Sequence, residues 1–230
     1  MTLQAILFGS IGTIAETSDV QRRAFNAAFA DAELDWDWDA DTYRGLLTIN
    51  GGQARIRAYC EQMGVAMLTH DVVTAIHAGK TAHYADMLAT NGLEPRTGVA
   101  ELIAASRAAH VRVALCTSTS RDNVDAMATA LRGRINFADF AIVTSLDDGI
   151  GVKPLPDAYR YALVQLGLDA AKCVAIEDSP VSIAAAKAAG LFTIATPGQF
   201  VRDQDFGAAD RVCDDLSSVS LDEIAAYIAA

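Results

Sequence analysis

Basic residues are scarce in this chain. Eighteen Lys and Arg stand against 29 Asp and Glu, a net charge of −11 over 230 residues with a pI near 4.7. That balance argues against nucleic acid as a partner, because phosphate backbones call for clustered Lys and Arg. It leaves open an anionic small molecule, since a few placed basic groups or a metal ion can reverse the local field. Cysteine is also sparse: Cys60, Cys116, Cys173 and Cys213 are scattered and form no C-x-x-C pair, so a disulfide scaffold is excluded and reduced thiols are expected. Only 5 residues are proline, and no low-complexity tract or internal repeat is visible. No apolar run approaches the roughly 20 residues of a membrane span. The opening MTLQAILF has neither a basic n-region nor a long apolar h-region. A cytoplasmic location and no membrane partner are therefore the expectation.

With 52% hydrophobic and only 20% charged residues, the chain is not a disordered acidic tail and is long enough to bury a substantial core. Residues 3–8 (LQAILF) read as a buried strand ending in a glycine-rich turn. From about residue 15 to 90 the pattern is helical throughout, with Thr17, Ser18 or Asp19 placed to cap the first helix and His70 or Asp71 at the start of the last. After NGLEP, strands and helices alternate. VRVALC, FAIVTS, CVAIE and LFTIAT read as strands, DRVCDD as an edge strand, and SLDEIAAYIAA as the final helix. Such alternation predicts an α/β fold with a parallel, doubly wound sheet. The predicted organisation is a Rossmannoid core of residues 1–14 and 91–230, interrupted by an all-helical cap of residues 15–90.

In open α/β sheets, ligands bind beyond the carboxyl ends of the strands. There the sequence places Gly9-Ser10-Ile11-Gly12-Thr13, then Thr117-Ser118-Thr119, then Gly151-Val152-Lys153-Pro154, then Glu177-Asp178-Ser179. Each segment has a plain structural explanation, as a helix cap, a solvated lysine or helix-start charges. Together, hydroxyls and a lysine suited to phosphate oxygens converge with two carboxylates suited to Mg²⁺.

These motifs resemble the haloacid dehalogenase superfamily, in the subfamily with a helical cap after the first strand. The resemblance spans essentially the whole chain. Ile14-Ala15-Glu16-Thr17, Arg23-Ala24-Phe25-Asn26-Ala27-Ala28-Phe29 and Gly51-Gly52-Gln53-Ala54-Arg55-Ile56 look like the cap region of the CbbY-like sugar-bisphosphatase branch, near β-phosphoglucomutase. The resemblance implies phosphate binding by Thr117, Ser118 and Lys153, Mg²⁺ held by Glu177 and Asp178, and substrate contact from Glu16, Gly51, Gly52 and Arg55. It implies a sugar phosphate as the ligand; a monomer is the expectation, with the oligomeric state left open by the sequence.

One motif departs from the pattern. Family members open with Asp-x-Asp-Gly-Thr, in which the first Asp attacks phosphorus and ligates Mg²⁺ and the second serves as general acid/base. Here Gly9 and Ile11 stand at those positions, and neither can do that work. An impaired phosphatase that still binds a phosphorylated sugar, with weakened Mg²⁺ affinity, is the reading this favours. Strand alternation predicts that Ser10 points away from the side of positions 9 and 11, making it a poor substitute nucleophile; Glu16 is the other candidate for a relocated acid/base. Gln21 and Gln53 stand where the branch has His and Lys, which lowers the positive charge of the cap. Three rivals stay open: an active phosphohydrolase with another nucleophile, such as activated water; a partner-binding protein, with Trp36 and Trp38 as exposed anchors; and a dinucleotide site at Gly9-x-x-Gly12 with Asp31 as the distal acid.

Overall fold

A computed structural model describes residues 2–49 and 51–229; Ala230, the last residue of the predicted final helix, lies outside them, as do Met1 and Asn50 within the predicted spans. Strand β1 (Ala5–Phe8) is followed by four helices: α1 (Ser18–Asp31), α2 (Ala40–Leu46), α3 (Gly52–Met63) and α4 (His70–Asn91). The chain then alternates through α5 (Val99–Ala108), β2 (Arg112–Leu115), α6 (Arg121–Ala130), β3 (Phe140–Val143), α7 (Asp157–Leu166), β4 (Cys173–Glu177), α8 (Pro180–Ala188) and β5 (Phe192–Ala195), and ends with β6 (Arg211–Val212) and α9 (Leu221–Ala229). The strands form one parallel sheet in the order β3-β2-β1-β4-β5-β6. The predicted edge strand is thus present but only two residues long.

Side-chain alternation divides the sheet between two unlike layers. Ile6, Phe8, Val113, Leu115, Val174 and Ile176 face α5, α6 and α9, whose Leu102, Ile103, Met127 and Ile224 complete a bulky apolar core. Ala5, Leu7, Ala114 and Ala175 face the other way, onto Ala158, Ala162, Ala185 and Ala186 of α7 and α8. Strands apolar on both faces are what a parallel sheet with helices on each side requires. The small residues let α7 approach closely, which matters because the segment before α7 carries Lys153. The chain order reverses between β1 and β4, and the crevice beyond their carboxyl ends is the topological switch point of the sheet.

The helical segment has its own core. Trp38 is fully buried, with ring centroids 4.7 Å from both Phe25 and Phe29, and Trp36 packs edge-on to Phe29 and Tyr59. The tryptophans are therefore packing residues, and the exposed-anchor reading fails. Thr17 sits at the N-cap of α1 but its hydroxyl accepts no capping bond; Thr69, immediately before His70, caps α4 by accepting from the Val72 amide. The long helix α4 lies along α1 and reaches α6. Its buried residues Val73, Ile76, Lys80, Tyr84 and Leu88 follow one stripe at helical spacing. Replacing Trp38 with Ala should lower the unfolding free energy by about 3–5 kcal/mol in urea titrations, because neighbouring rings cannot close a cavity that large.

Candidate functional site

The turn after β1 begins at Gly9, whose amide donates to the Ile176 carbonyl on β4. A Cβ at position 9 would lie 2.2 Å from Glu177 Oε2 and 2.6 Å from Thr13 Oγ1. The space that a side chain at position 9 would enter is therefore filled by the Glu177 carboxylate. The same holds at Gly12, where φ is +79° and a Cβ would lie 2.1 Å from Asp178 Oδ2. Close approach and a left-handed backbone both require glycine there.

Glu177 is completely buried, and Lys153 Nζ donates to its Oε1 at 2.5 Å. Lys153 also donates to the Tyr159 hydroxyl at 3.1 Å, and its ammonium lies 5.0 Å from the Tyr159 ring centroid. Thr13 Oγ1 reaches both carboxylates, at 3.4 Å from Glu177 Oε2 and 3.2 Å from Asp178 Oδ1. Burial, opposed by Lys153, pushes the Glu177 carboxyl above its ordinary range. Burial and the neighbouring Glu177 push Asp178 up to about 7.

The hydroxyl groups sit on the adjoining side. Thr117 is buried; its amide donates to Thr144 Oγ1, and its own Oγ1 accepts from Ser10 Oγ at 2.7 Å and from the Thr119 amide at 3.2 Å. Ser118 Oγ accepts from the Lys153 amide at 3.4 Å, tying the second strand-end loop to the lysine loop. Ser10 is not turned away as predicted: β1 ends at Phe8, the turn no longer alternates, and Ser10 lines the cavity. Its hydroxyl donates to Thr117 Oγ1.

These groups open into a cavity of about 560 Å³ between the sheet edge and the helical segment. That size suits a small organic ligand. Ile11, Thr117, Ser118, Lys153, Glu177 and Asp178 line its floor. Gly51, Gly52 and Arg55 line the opposite wall; Arg55 Nε donates to the Ile49 carbonyl, and its guanidinium lies 5.8 Å from the Tyr43 ring centroid. At Gly52 a Cβ would lie 2.4 Å from the His77 ring, so this glycine makes room for a side chain. Glu16 lies behind the cavity lining, near enough for its charge to act on Asp178. Its carboxylate accepts from the Gln199 amide at 2.8 Å and lies 4.0 Å from Arg96 Nε.

Sequence reasoning missed Lys80 and His77. Both line the cavity from α4, and Lys80 is only 3% exposed. The available signal was a lysine on the apolar stripe of a long amphipathic helix, where a charge is costly unless it has a task. Burial, reinforced by Arg55, lowers its pKa to about 7; burial, Lys80 and Arg55 lower that of His77 to about 4. A lysine with a lower pKa folded than unfolded destabilises the native state below about pH 7, and this cost fades as pH rises toward the unfolded value of 10.5. Lys80→Met should therefore stabilise the ligand-free protein by roughly 2–4 kcal/mol at pH 6, with a gain that shrinks between pH 7 and 10 in parallel denaturation curves.

Lys153→Met tests the other lysine. It should cost about 3–5 kcal/mol at neutral pH by leaving Glu177 buried without its partner, and adding Glu177→Gln should recover most of that loss.

Residues 3–190 match the family model for haloacid dehalogenase-like hydrolases. The protein CbbY of Rhodobacter capsulatus is 39% identical over 224 residues, covering 97% of this chain and 98% of its own length. A crystal structure of a CbbY point variant from Rhodobacter sphaeroides, in complex with xylulose-(1,5)bisphosphate, superposes with a TM-score of 0.88 at 38% identity, covering 95% of this chain and 97% of that one. The CbbY–phosphate complex from the same organism gives a TM-score of 0.87 at 38% identity with the same coverage. A β-phosphoglucomutase from Clostridium difficile, at 16% identity, covers 100% of this chain and 98% of its own, and shares the fold with a TM-score of 0.81. On this fold, sheet order and whole-length similarity, the chain belongs to the haloacid dehalogenase-like hydrolase family.

Proposed function

We propose that this protein binds a phosphorylated sugar in the cavity at the sheet edge and does not carry out phosphoryl transfer through an aspartyl intermediate. The observation that carries this reading is the pairing of a floor rich in hydroxyl and ammonium donors with a turn that has no carboxylate. Thr117, the Ser118 region and Lys153 offer hydroxyl, amide and ammonium donors to phosphate oxygens. At Gly9 and Ile11 no carboxylate is available to attack phosphorus or to protonate a leaving oxygen. Residues 15–90 act in this reading as a cap that closes the ligand against the core formed by residues 1–14 and 91–230, with Gly51, Gly52 and Arg55 on the ligand's far side. Glu16 serves here as a latch between cap and core through the Gln199 amide.

The family implies Mg²⁺, and the donor set agrees with it to a limited degree. Glu177 and Asp178 are adjacent hard-oxygen ligands, and Mg²⁺ is often held by one or two carboxylates together with substrate phosphate. Among the described residues no group of three or more metal-ligating side chains gathers. Glu177 and Asp178 would hold the ion, which when bound supplies positive charge opposite the phosphate oxygens. The single Lys153 charge faces two carboxylates, so a phosphate dianion gains from that added charge.

The decisive comparison is between the wild type and the Gly9→Asp/Ile11→Asp double variant, assayed with Mg²⁺ and a panel of sugar mono- and bisphosphates. The wild type should show no turnover above background, while a sugar bisphosphate raises its melting temperature. The double variant should gain turnover provided Glu177 swings out of the volume at position 9. Wild-type hydrolysis as fast as that of the double variant would overturn the loss of catalysis. Absence of any thermal shift with phosphate or sugar phosphates would overturn the binding reading.

A further inference from the structure

The chain contains only four lysines, and two of them, Lys80 and Lys153, line the same cavity. Their surroundings are opposite. Lys153 is held by the Glu177 carboxylate. Lys80 has no carboxylate partner among the described residues; its Nζ lies between two aromatic rings, 5.1 Å from the Tyr84 centroid and 5.4 Å from that of Phe25. The charged or titratable neighbours that face it are His77 one turn earlier on α4, Arg55 from α3 and Tyr84 on its own helix; α1 contributes the neutral Phe25 and Gln21. Burial away from water, reinforced by the Arg55 charge, outweighs the attraction of the two ring faces for an ammonium and disfavours the charged form. A desolvated amine in such a setting carries a free lone pair near neutral pH, the condition under which lysine becomes a nucleophile toward carbonyl carbon. Its pKa near 7 agrees with that placement.

We propose that Lys80 is a nucleophilic lysine that condenses with the carbonyl group of an open-chain sugar phosphate whose phosphate rests on Lys153 and Thr117. The inference rests on the phosphate-binding reading for the position of the substrate. The amine lone pair forms a bond to the carbonyl carbon while the C=O π pair moves to oxygen, giving a carbinolamine. The carbinolamine loses water: both amine protons leave with the carbonyl oxygen, and a C=N bond remains. No oxidant, reductant or carboxylate nucleophile takes part, so the step is independent of what positions 9 and 11 have lost. His77 lies on the same face of α4 and is unprotonated at neutral pH, so its imidazole can take up and return the transferred proton.

The small number of lysines makes the test clean. Intact protein at pH 7 is treated with dihydroxyacetone phosphate and borohydride, which reduces an imine to a stable amine, or with the phosphate-free diketone acetylacetone. The modified lysine is then mapped by peptide mass spectrometry. Both reagents should label Lys80 at least tenfold faster than Lys172 and Lys187, which lie outside the cavity. Inorganic phosphate should slow the ketose phosphate reaction only. Lys80→Arg should lose the label, and so should Lys80→Met, whose folding is favoured by removal of the buried charge. No adduct at Lys80 with either reagent, or equal labelling of Lys80, Lys172 and Lys187, overturns the proposal. Labelling by the diketone but not by the ketose phosphate overturns condensation with a sugar phosphate and locates the failure in the phosphate site, not in the amine.

Discussion

The Lys153–Glu177 pair is the constraint on which the sheet edge turns. Two opposite charges are removed from water at the switch point between β1 and β4, an arrangement that is tolerable only when each charge is well partnered. Each is: Tyr159 supplies a hydroxyl and a ring face to the lysine, and Thr13 supplies a hydroxyl to the glutamate. The elements that deliver these groups are set by packing. The alanine-rich layer beneath α7 brings Tyr159 and the Lys153 loop against the sheet, and the ladder of β4 against β1 fixes Glu177 beside Gly9. The absence of a side chain at position 9 completes the fit, since the Glu177 carboxylate occupies that volume. Position 9 therefore leaves no void, and a side chain placed there has to move a buried, ion-paired neighbour.

The opposite wall follows a different rule. Helix α4 carries a lysine on the stripe that otherwise holds Val73, Ile76, Tyr84 and Leu88. Among the described residues nothing neutralises it, so its amine is shifted toward the neutral form by the same desolvation that a carboxylate relieves for Lys153. One cavity thus holds two lysines in unlike surroundings: one ion-paired with a carboxylate, the other desolvated between two aromatic rings. Gly52 admits the His77 ring beside that amine, so the glycine pair that marks the cap motif also serves the packing of α4. Gln21 also lines this cavity, and among the described residues its buried amide nitrogen finds no hydrogen-bond partner.

Much of this was legible in the sequence because it depends on local pattern. The apolar runs of β1, β2 and β4, the Ala-rich spacing of α7 and α8, and the helical periodicity between residues 15 and 90 each bury a predictable face, so the parallel sheet and its strand-end motifs could be read directly. The lack of carboxylates at Gly9 and Ile11 was equally plain, because no fold can supply a functional group that the residue does not contain. Ser10 was misjudged because alternation was extended one turn past the end of β1. Trp36 and Trp38 could be exposed anchors on the sequence alone; Phe25, Phe29 and Tyr59 enclose them in the fold. What only the tertiary structure decided are the relations between distant segments. Residues 168 positions apart contend for one volume at Gly9 and Glu177, Glu16 engages the Gln199 amide, and Lys80 has no counter-charge among the described residues. Sequence determines which groups exist and which face of an element they occupy; partnership and solvation are set by packing across the molecule, and those fix the chemistry of the groups.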